Sequence, residues 1–194
     1  ILLQKEGFVV KISPQLFNKK DVFAGTQSQR KEALQAAFND PETKAIFFAR
    51  GGYGSVQIID SIDFNVFQQN PKWLVGFSDV TTILTHVYTQ HNIQSIHGPM
   101  PYNFKTTESG ELHKLFCILR GDRVHIQAPH HQLNKMGSCQ GVVVGGNLSI
   151  LCSLIGSSTF INFNKKYILF IEDVDEYLYH LELNHMTNRL NLLL

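Results

Sequence analysis

The stretch Trp73-Leu74-Val75-Gly76-Phe77-Ser78-Asp79, running on into Val80-Thr81-Thr82-Ile83-Leu84-Thr85-His86-Val87-Tyr88, decides how this chain is read. Its first half is apolar and β-rich, and its second half sets Val80, Ile83, Leu84 and Val87 at helical spacing. That order predicts a strand, a sharp turn and a helix, with Ser78 on the turn. Such a turn lifts a hydroxyl above the carboxyl end of a sheet and aims the first free helix N–H groups at the same point, where a developing oxyanion could be bound. Ser78 is therefore a candidate nucleophile. The same residues also fit an ordinary helix N-cap, because the second glycine of the usual Gly-x-Ser-x-Gly elbow is absent.

Outward from this turn, strand and helix patterns alternate. Upstream, residues 2–7 read as the last turn of a helix closed by Gly7, 8–12 as a β-rich run, 28–38 as a helix ended by Asn39-Asp40-Pro41, 45–49 as a strand and 56–62 as a helix. Downstream, 93–96 reads as a strand and 112–119 as a helix, after which residues 122–137 turn polar and lose periodicity. A second alternation follows: strand 140–144, turn Gly145-Gly146-Asn147, helix 148–154, strand 167–171, and a helix from Glu176 that reaches Leu194 without a cap. Alternation of this kind implies an α/β fold with parallel sheets. The expected organisation is an N-terminal parallel-sheet α/β domain over residues 1–121, a linker over 122–137, and the start of a smaller C-terminal α/β domain over 138–194, both truncated.

Composition narrows the function classes. A chain of 194 residues with 43% hydrophobic and 17% charged residues has the make-up of a soluble globular protein. Its 17 basic and 16 acidic residues leave a formal charge of +1 and form no blocks, so nucleic acid is not an expected partner. Cys117, Cys139 and Cys152 are odd in number and lack Cys-x-x-Cys spacing, which speaks against a disulfide framework and a zinc knuckle and for a reducing compartment. No run approaches the roughly 18 to 20 apolar residues of a membrane span, and no membrane partner is expected. No basic-then-apolar leader opens the chain, which starts at Ile1 rather than at a methionine.

In an open parallel sheet, ligands collect at the carboxyl ends of the strands. Three unusual sequences fall at such ends: Arg50-Gly51-Gly52-Tyr53-Gly54, Ser78-Asp79 and His97-Gly98-Pro99. The N–H groups of Gly51 and Gly52 are candidates for one half of an oxyanion hole and that of Asp79 for the other. A phosphate loop is the rival reading, against which stand the missing Gly-Lys-Ser/Thr and the missing Gly-x-Gly-x-x-Gly. Glu172, directly after the apolar run 167–171, is the candidate to orient a base; a solvated acidic loop with Asp173, Asp175 and Glu176, or a divalent-ion site, fits the same residues. Asn147 is either a helix N-cap or a side-chain donor to substrate across the domain junction. None of the nine histidines announces itself as the base: His86 and His91 lie on or just after the helix behind Ser78, His180 and His185 on the last helix, and none has metal spacing.

Taken together, Ala49-Arg50-Gly51-Gly52-Tyr53-Gly54-Ser55, Val75-Gly76-Phe77-Ser78-Asp79-Val80-Thr81, His97-Gly98-Pro99-Met100, Gly145-Gly146-Asn147-Leu148-Ser149 and Leu169-Phe170-Ile171-Glu172-Asp173-Val174 stand in the order found in the LD-carboxypeptidases. From about Phe8 onward the chain resembles that serine peptidase family of muramoyltetrapeptide carboxypeptidases and microcin C self-immunity proteins. The resemblance implies a Ser-His-Glu triad at the junction of two domains, with no metal or cofactor. By motif position Ser78 is the implied nucleophile, Glu172 the triad carboxylate, and Asp79 with the Gly51-Gly52 region the oxyanion donors. The family's histidine sits downstream of the glutamate in a Gly-His-like motif that does not occur before Leu194, and the family's first strand does not occur after Ile1. A fragment inactive by itself is the resulting expectation. For the whole protein the implied function is cytoplasmic removal of the terminal D-alanine from a murein tetrapeptide during peptidoglycan recycling. A second enzymatic reading is hydrolysis of a peptidyl-nucleotide toxin, with Tyr102 or Tyr177 stacking on the base. A third, from another class, is a non-catalytic small-molecule binding module. A homodimer is left open.

Overall fold

The computed structural model describes residues 2–174 together with 183 and 186. Strands β1 (Ala45–Phe47), β2 (Trp73–Gly76) and β3 (Ile96–His97) form a parallel sheet in that order, with Phe47 beside Val75 and Gly76 beside His97. The period-2 alternation of the central strand explains the layering. Leu74 enters a core with Leu34 and Phe38 of helix α2 (Gln27–Asn39), Phe67 of helix α4 (Asn65–Gln69), and Ile83 and Val87 of helix α5 (Thr81–His91). Val75 points the other way, into a core with Ile96, with Leu3 of helix α1 (Leu2–Lys5), and with Leu112, Leu115 and Phe116 of helix α6 (Ser109–Leu119). A central strand buried on both faces is what a run of Leu-Val without polar alternation requires.

Local chemistry sets the helix ends. Thr26 and Gln29 close a reciprocal capping box on α2, and Asp40 ends it just before Pro41. Gly7 closes α1 at φ +85°. Helix α3 (Ser55–Ile58) starts directly after the glycine loop and passes into a 3₁₀ turn over Ile59–Ser61. Helix α4 went unforeseen because five residues are too few to show a period, yet its Phe67 is fully buried.

Strands β4 (Val142–Asn147) and β5 (Tyr167–Glu172) form a separate two-stranded parallel sheet, joined through helix α7 (Leu148–Ser153). Val144, Leu148, Leu151, Leu154, Phe160, Ile161 and Met186 make its core. Two parallel sheets with covering helices agree with the expected α/β class. Between Leu119 and Val142 no helix or strand forms, and Ile126, Leu133 and Met136 stand exposed. Among the described residues no helix is long and apolar enough to cross a membrane.

Two expectations need correction. Residues 8–12 form no strand: Phe8 and Val10 pack on the core around Phe116, but Val9 is 94% exposed and no neighbouring strand pairs with the run. Gly145-Gly146-Asn147 is the end of β4 rather than a turn, with Gly145 beside Phe170 and Asn147 beside Glu172. The helix expected from Glu176 lies outside the described residues, apart from Leu183 and Met186.

Helix α5 joins the two sheets. Thr81 Oγ1 accepts the Asn147 N–H at 3.1 Å, His86 Nδ1 lies 2.9 Å from Thr159 Oγ1, and the Thr89 hydroxyl donates to the Thr159 carbonyl at 3.2 Å. A Cβ on Gly146 would sit 2.6 Å from Thr81 Cγ2 and 2.8 Å from Thr81 Oγ1, and its φ of +148° disfavours any side chain. Gly146→Ala is therefore expected to cost about 1–3 kcal/mol of stability by forcing α5 away from β4. Equilibrium denaturation of the variant beside its parent checks this, and coincident curves would show that the junction is loose.

Candidate active site

The backbone at the β2–α5 turn is strained at one residue, Ser78, whose φ is +61°. Holding a serine in this left-handed region costs on the order of 1–3 kcal/mol and persists only where the surroundings dictate it. They do so from two sides. A Cβ on Gly76 would lie 2.8 Å from Val80 Cγ1, so the turn folds back on the strand that feeds it, and a Cβ on Gly51 would lie 3.0 Å from Ser78 Oγ. The 3₁₀ turn over Ser78–Val80 is capped at Phe77 without any side-chain bond, so Ser78 is not the N-cap that its sequence also allowed.

The glycine loop lies against this serine. Gly51 and Gly52 donate their N–H groups to no backbone acceptor among the described residues. Asp79 holds the loop through an atom that sequence reasoning did not consider: its nearly buried carboxylate accepts both the Ser55 N–H at 3.0 Å and the Ser55 hydroxyl at 2.7 Å. The acidic side chain thus ties the start of α3 to the turn that carries Ser78. No local pattern announces a bond between residues 24 positions apart.

Glu172 reaches the same place from the other sheet, as the last residue of β5. Burial, followed by the neighbouring Asp173 charge, pushes its pKa above the usual value; the Ser78 N–H and the Asn147 side chain oppose that by hydrogen bonding to the carboxylate. A carboxylate with a buried Oε1 is not a solvated loop residue. Asn147 is the N-cap of α7, its Oδ1 accepting the Ile150 N–H at 3.1 Å, while its amide nitrogen donates to Asp173 Oδ1 at 3.0 Å. Asp173 also takes the Ser149 N–H at 3.0 Å and the Ser149 hydroxyl at 2.6 Å; although burial acts against it, these bonds with those from Val174 and Asn147 hold its pKa down. Among the described residues no three His, Cys, Asp or Glu side chains are placed to hold a metal ion.

The histidine that the structure brings here is His97, which the sequence marked only through its Gly-Pro neighbours. Its Nε2 lies 3.6 Å from Glu172 Oε1, and its ring packs against Phe77 at 6.1 Å and edge-on to Phe170 at 4.9 Å. His86 and His91 are occupied elsewhere, both tilted against Phe64. His180 and His185 lie outside the described residues. Burial pushes the His97 pKa down to about 4, so near neutral pH the contact is between a neutral imidazole and a carboxylate, not an ion pair.

That shift fixes a pH dependence. Unfolded, a histidine titrates near 6.5, so between about 6.5 and 4 the unfolded chain binds a proton that folded His97 refuses. The stability tied to keeping His97 neutral is full above that window and lost as pH falls through it. His97→Gln has nothing to titrate there, so on acidification from pH 7 to 4 the parent is expected to lose about 3 kcal/mol more than the variant. Parallel pH–stability curves for the two proteins would contradict this.

Comparison with known proteins decides the family. Residues 1–98 match the LD-carboxypeptidase N-terminal domain and residues 140–192 the LD-carboxypeptidase C-terminal domain. The chain belongs to the LD-carboxypeptidase family. A probable murein peptide carboxypeptidase of Bacillus subtilis is 32% identical over 99% of this chain, and the chain spans 61% of that relative's length. Among solved LD-carboxypeptidase-like folds, the muramoyltetrapeptide carboxypeptidase from Oxalobacter formigenes superposes with a TM-score of 0.80 at 22% identity, covering 96% of this chain and 64% of that one. The microcin C7 self-immunity protein in complex with aspartyl sulfamoyl adenosine superposes with a TM-score of 0.79 at 22% identity, covering 97% of this chain and 66% of that one.

Proposed function

We propose that the whole protein is a serine-type LD-carboxypeptidase that releases the terminal D-alanine of murein tetrapeptides in the cytoplasm, in the recycling of peptidoglycan. The observation that carries this reading is Ser78, a non-glycine residue at φ +61° on the turn between β2 and α5, with Gly51 against its hydroxyl. In the proposed reaction Ser78 Oγ attacks the scissile carbonyl as a histidine takes its proton. The tetrahedral oxyanion is held by N–H groups of the Gly51-Gly52 loop and Asp79. Collapse breaks the C–N bond, the histidine protonates the departing amine of D-alanine, and water then hydrolyses the acyl-enzyme by the same proton route in reverse. Glu172 orients that histidine.

The base is assigned, through the family resemblance, to a downstream Gly-His segment that this sequence does not include. On the same reading residues 1–194 alone turn over no substrate at an enzymatic rate. The division into residues 1–121, a linker over 122–137 and residues 138–194 puts Ser78 and Glu172 on opposite sides of one junction, which Thr81 and Asn147 bridge. Asn147 lies at that junction as a further contact for substrate.

A second reading, hydrolysis of a peptidyl-nucleotide, draws on exposed aromatic residues beside the glycine loop; Tyr177, the other residue considered for stacking, lies outside the described residues. Tyr53 is part of the loop and Tyr102 donates its N–H to the Ala49 carbonyl, and both side chains are free to stack on a base. Assaying the whole protein for D-alanine release from a murein tetrapeptide and for cleavage of an aminoacyl sulfamoyl adenosine separates the two. Activity on the tetrapeptide is the expected result; activity on the nucleotide alone would replace the first reading by the second.

A further inference from the structure

The contact between His97 and Glu172 has features that packing alone does not require. His97 is the last residue of β3, beside Gly76, and so stands two residues in register from the serine turn, with the Gly98 N–H bound to the Gly76 carbonyl at 3.2 Å. Glu172 is the last residue of β5 in the other sheet. Two strand ends from two sheets therefore meet at one pair of side chains, one of which, Glu172, is also acted on by the Ser78 N–H.

The pair is also marked by what it lacks. Glu172 Oε1 and His97 Nδ1 are buried without a hydrogen-bond partner among the described residues. Buried polar atoms in folded proteins are nearly always satisfied, and a buried carboxylate oxygen is among the most costly to leave bare. The side chain that faces Oε1 is His97, with Nε2 at 3.6 Å. That gap exceeds a hydrogen bond by only several tenths of an ångström, which a small side-chain rotation closes. The imidazole also contacts two phenylalanine rings, Phe77 at 6.1 Å and Phe170 edge-on at 4.9 Å between centroids.

We propose that His97 is a positioning residue for the reaction: its Nε2–H donates to Glu172 Oε1 and fixes the rotamer of the carboxylate that orients the general base. The Ser78 N–H and the Asn147 amide act on the same carboxylate from the serine side and from β4, so His97 supplies the hold from β3. Burial keeps the imidazole neutral, the state in which one ring nitrogen carries the single N–H and the other is an acceptor. His97 is not itself placed as the base, since no hydrogen bond joins either of its nitrogens to Ser78 Oγ.

The inference rests on the proposed roles of Ser78 and Glu172, and its test separates the two levels. In the whole protein, kcat, KM and thermal stability are measured for His97→Leu, His97→Gln and His97→Asn, with Ser78→Ala as control. A glutamine amide reaches the position of Nε2 and an asparagine amide falls short of it. His97→Leu and His97→Asn are expected to lose about 10- to 100-fold in kcat, the range seen when a partner that orients a functional ligand is removed. KM is expected to stay within about threefold of the parent, and His97→Gln to recover kcat to within about threefold. If His97→Leu fails to fold, the contrast between Gln and Asn carries the test alone. Equal kcat for Gln and Asn, or a loss confined to KM, overturns the positioning role while an inactive Ser78→Ala leaves the reaction standing. An active Ser78→Ala overturns the reaction assignment and this inference with it.

Discussion

Ser78→Ala in the whole protein is expected to lower kcat for D-alanine release by about 10⁴- to 10⁶-fold, the range for removing a hydrolase nucleophile. Its melting temperature should barely move. The hydroxyl caps no helix, and alanine keeps the same backbone torsion, so neither a bond nor packing volume of consequence is lost. Ser78→Gly sharpens the result. Glycine ordinarily costs about 0.5–1 kcal/mol through the freedom it adds to the unfolded chain, but at a φ of +61° it also removes the strain that serine and alanine both carry. The glycine variant should therefore be as inactive as the alanine variant and at least as stable. A clearly less stable glycine variant would mean that Ser78 is not held in the left-handed region, and turnover by either variant would remove it as nucleophile.

How much of this was legible in the sequence follows from the range of the interactions. The β2–turn–α5 unit could be read because each of its determinants is local: apolar residues at 73–75, glycine at 76, and apolar residues at helical spacing from Val80. Glu172 could be located for the same reason, at the end of an uninterrupted apolar strand. The glycines of β4 could not. Gly145-Gly146 reads as a turn by propensity, and only the close approach of Phe170 and Thr81, from elsewhere in the chain, explains why small residues continue a strand there. The short strand β3 was expected over residues 93–96, and its actual place at Ile96–His97 carries a histidine to the strand end. The sequence already puts His97 at this strand end, but Glu172 approaches it from the other sheet, and no local pattern pairs two such residues. The tie from Asp79 to Ser55 was hidden likewise, since a capping acceptor supplied from another element leaves no trace near the helix it caps.

Replacing Glu172 by glutamine should separate what the site needs from what the fold prefers. The change keeps shape and volume but removes the charge that would stabilise an imidazolium and fix its tautomer, so kcat is expected to fall about 10³- to 10⁴-fold. Stability should move the other way. Because burial and Asp173 raise the folded pKa of Glu172 above its unfolded value, ionisation costs stability: the cost is full above the folded pKa, declines as pH falls from there, and is gone below the unfolded pKa. Glutamine is neutral throughout and carries no such cost. At pH 7 the variant should thus melt at or above the temperature of the parent, and the difference should shrink as pH falls toward 4. A carboxylate retained at a cost to the fold is retained for chemistry. Comparing melting curves with kcat for the same two proteins decides the matter, and a glutamine variant that melts lower while keeping its kcat would mark Glu172 as a structural group.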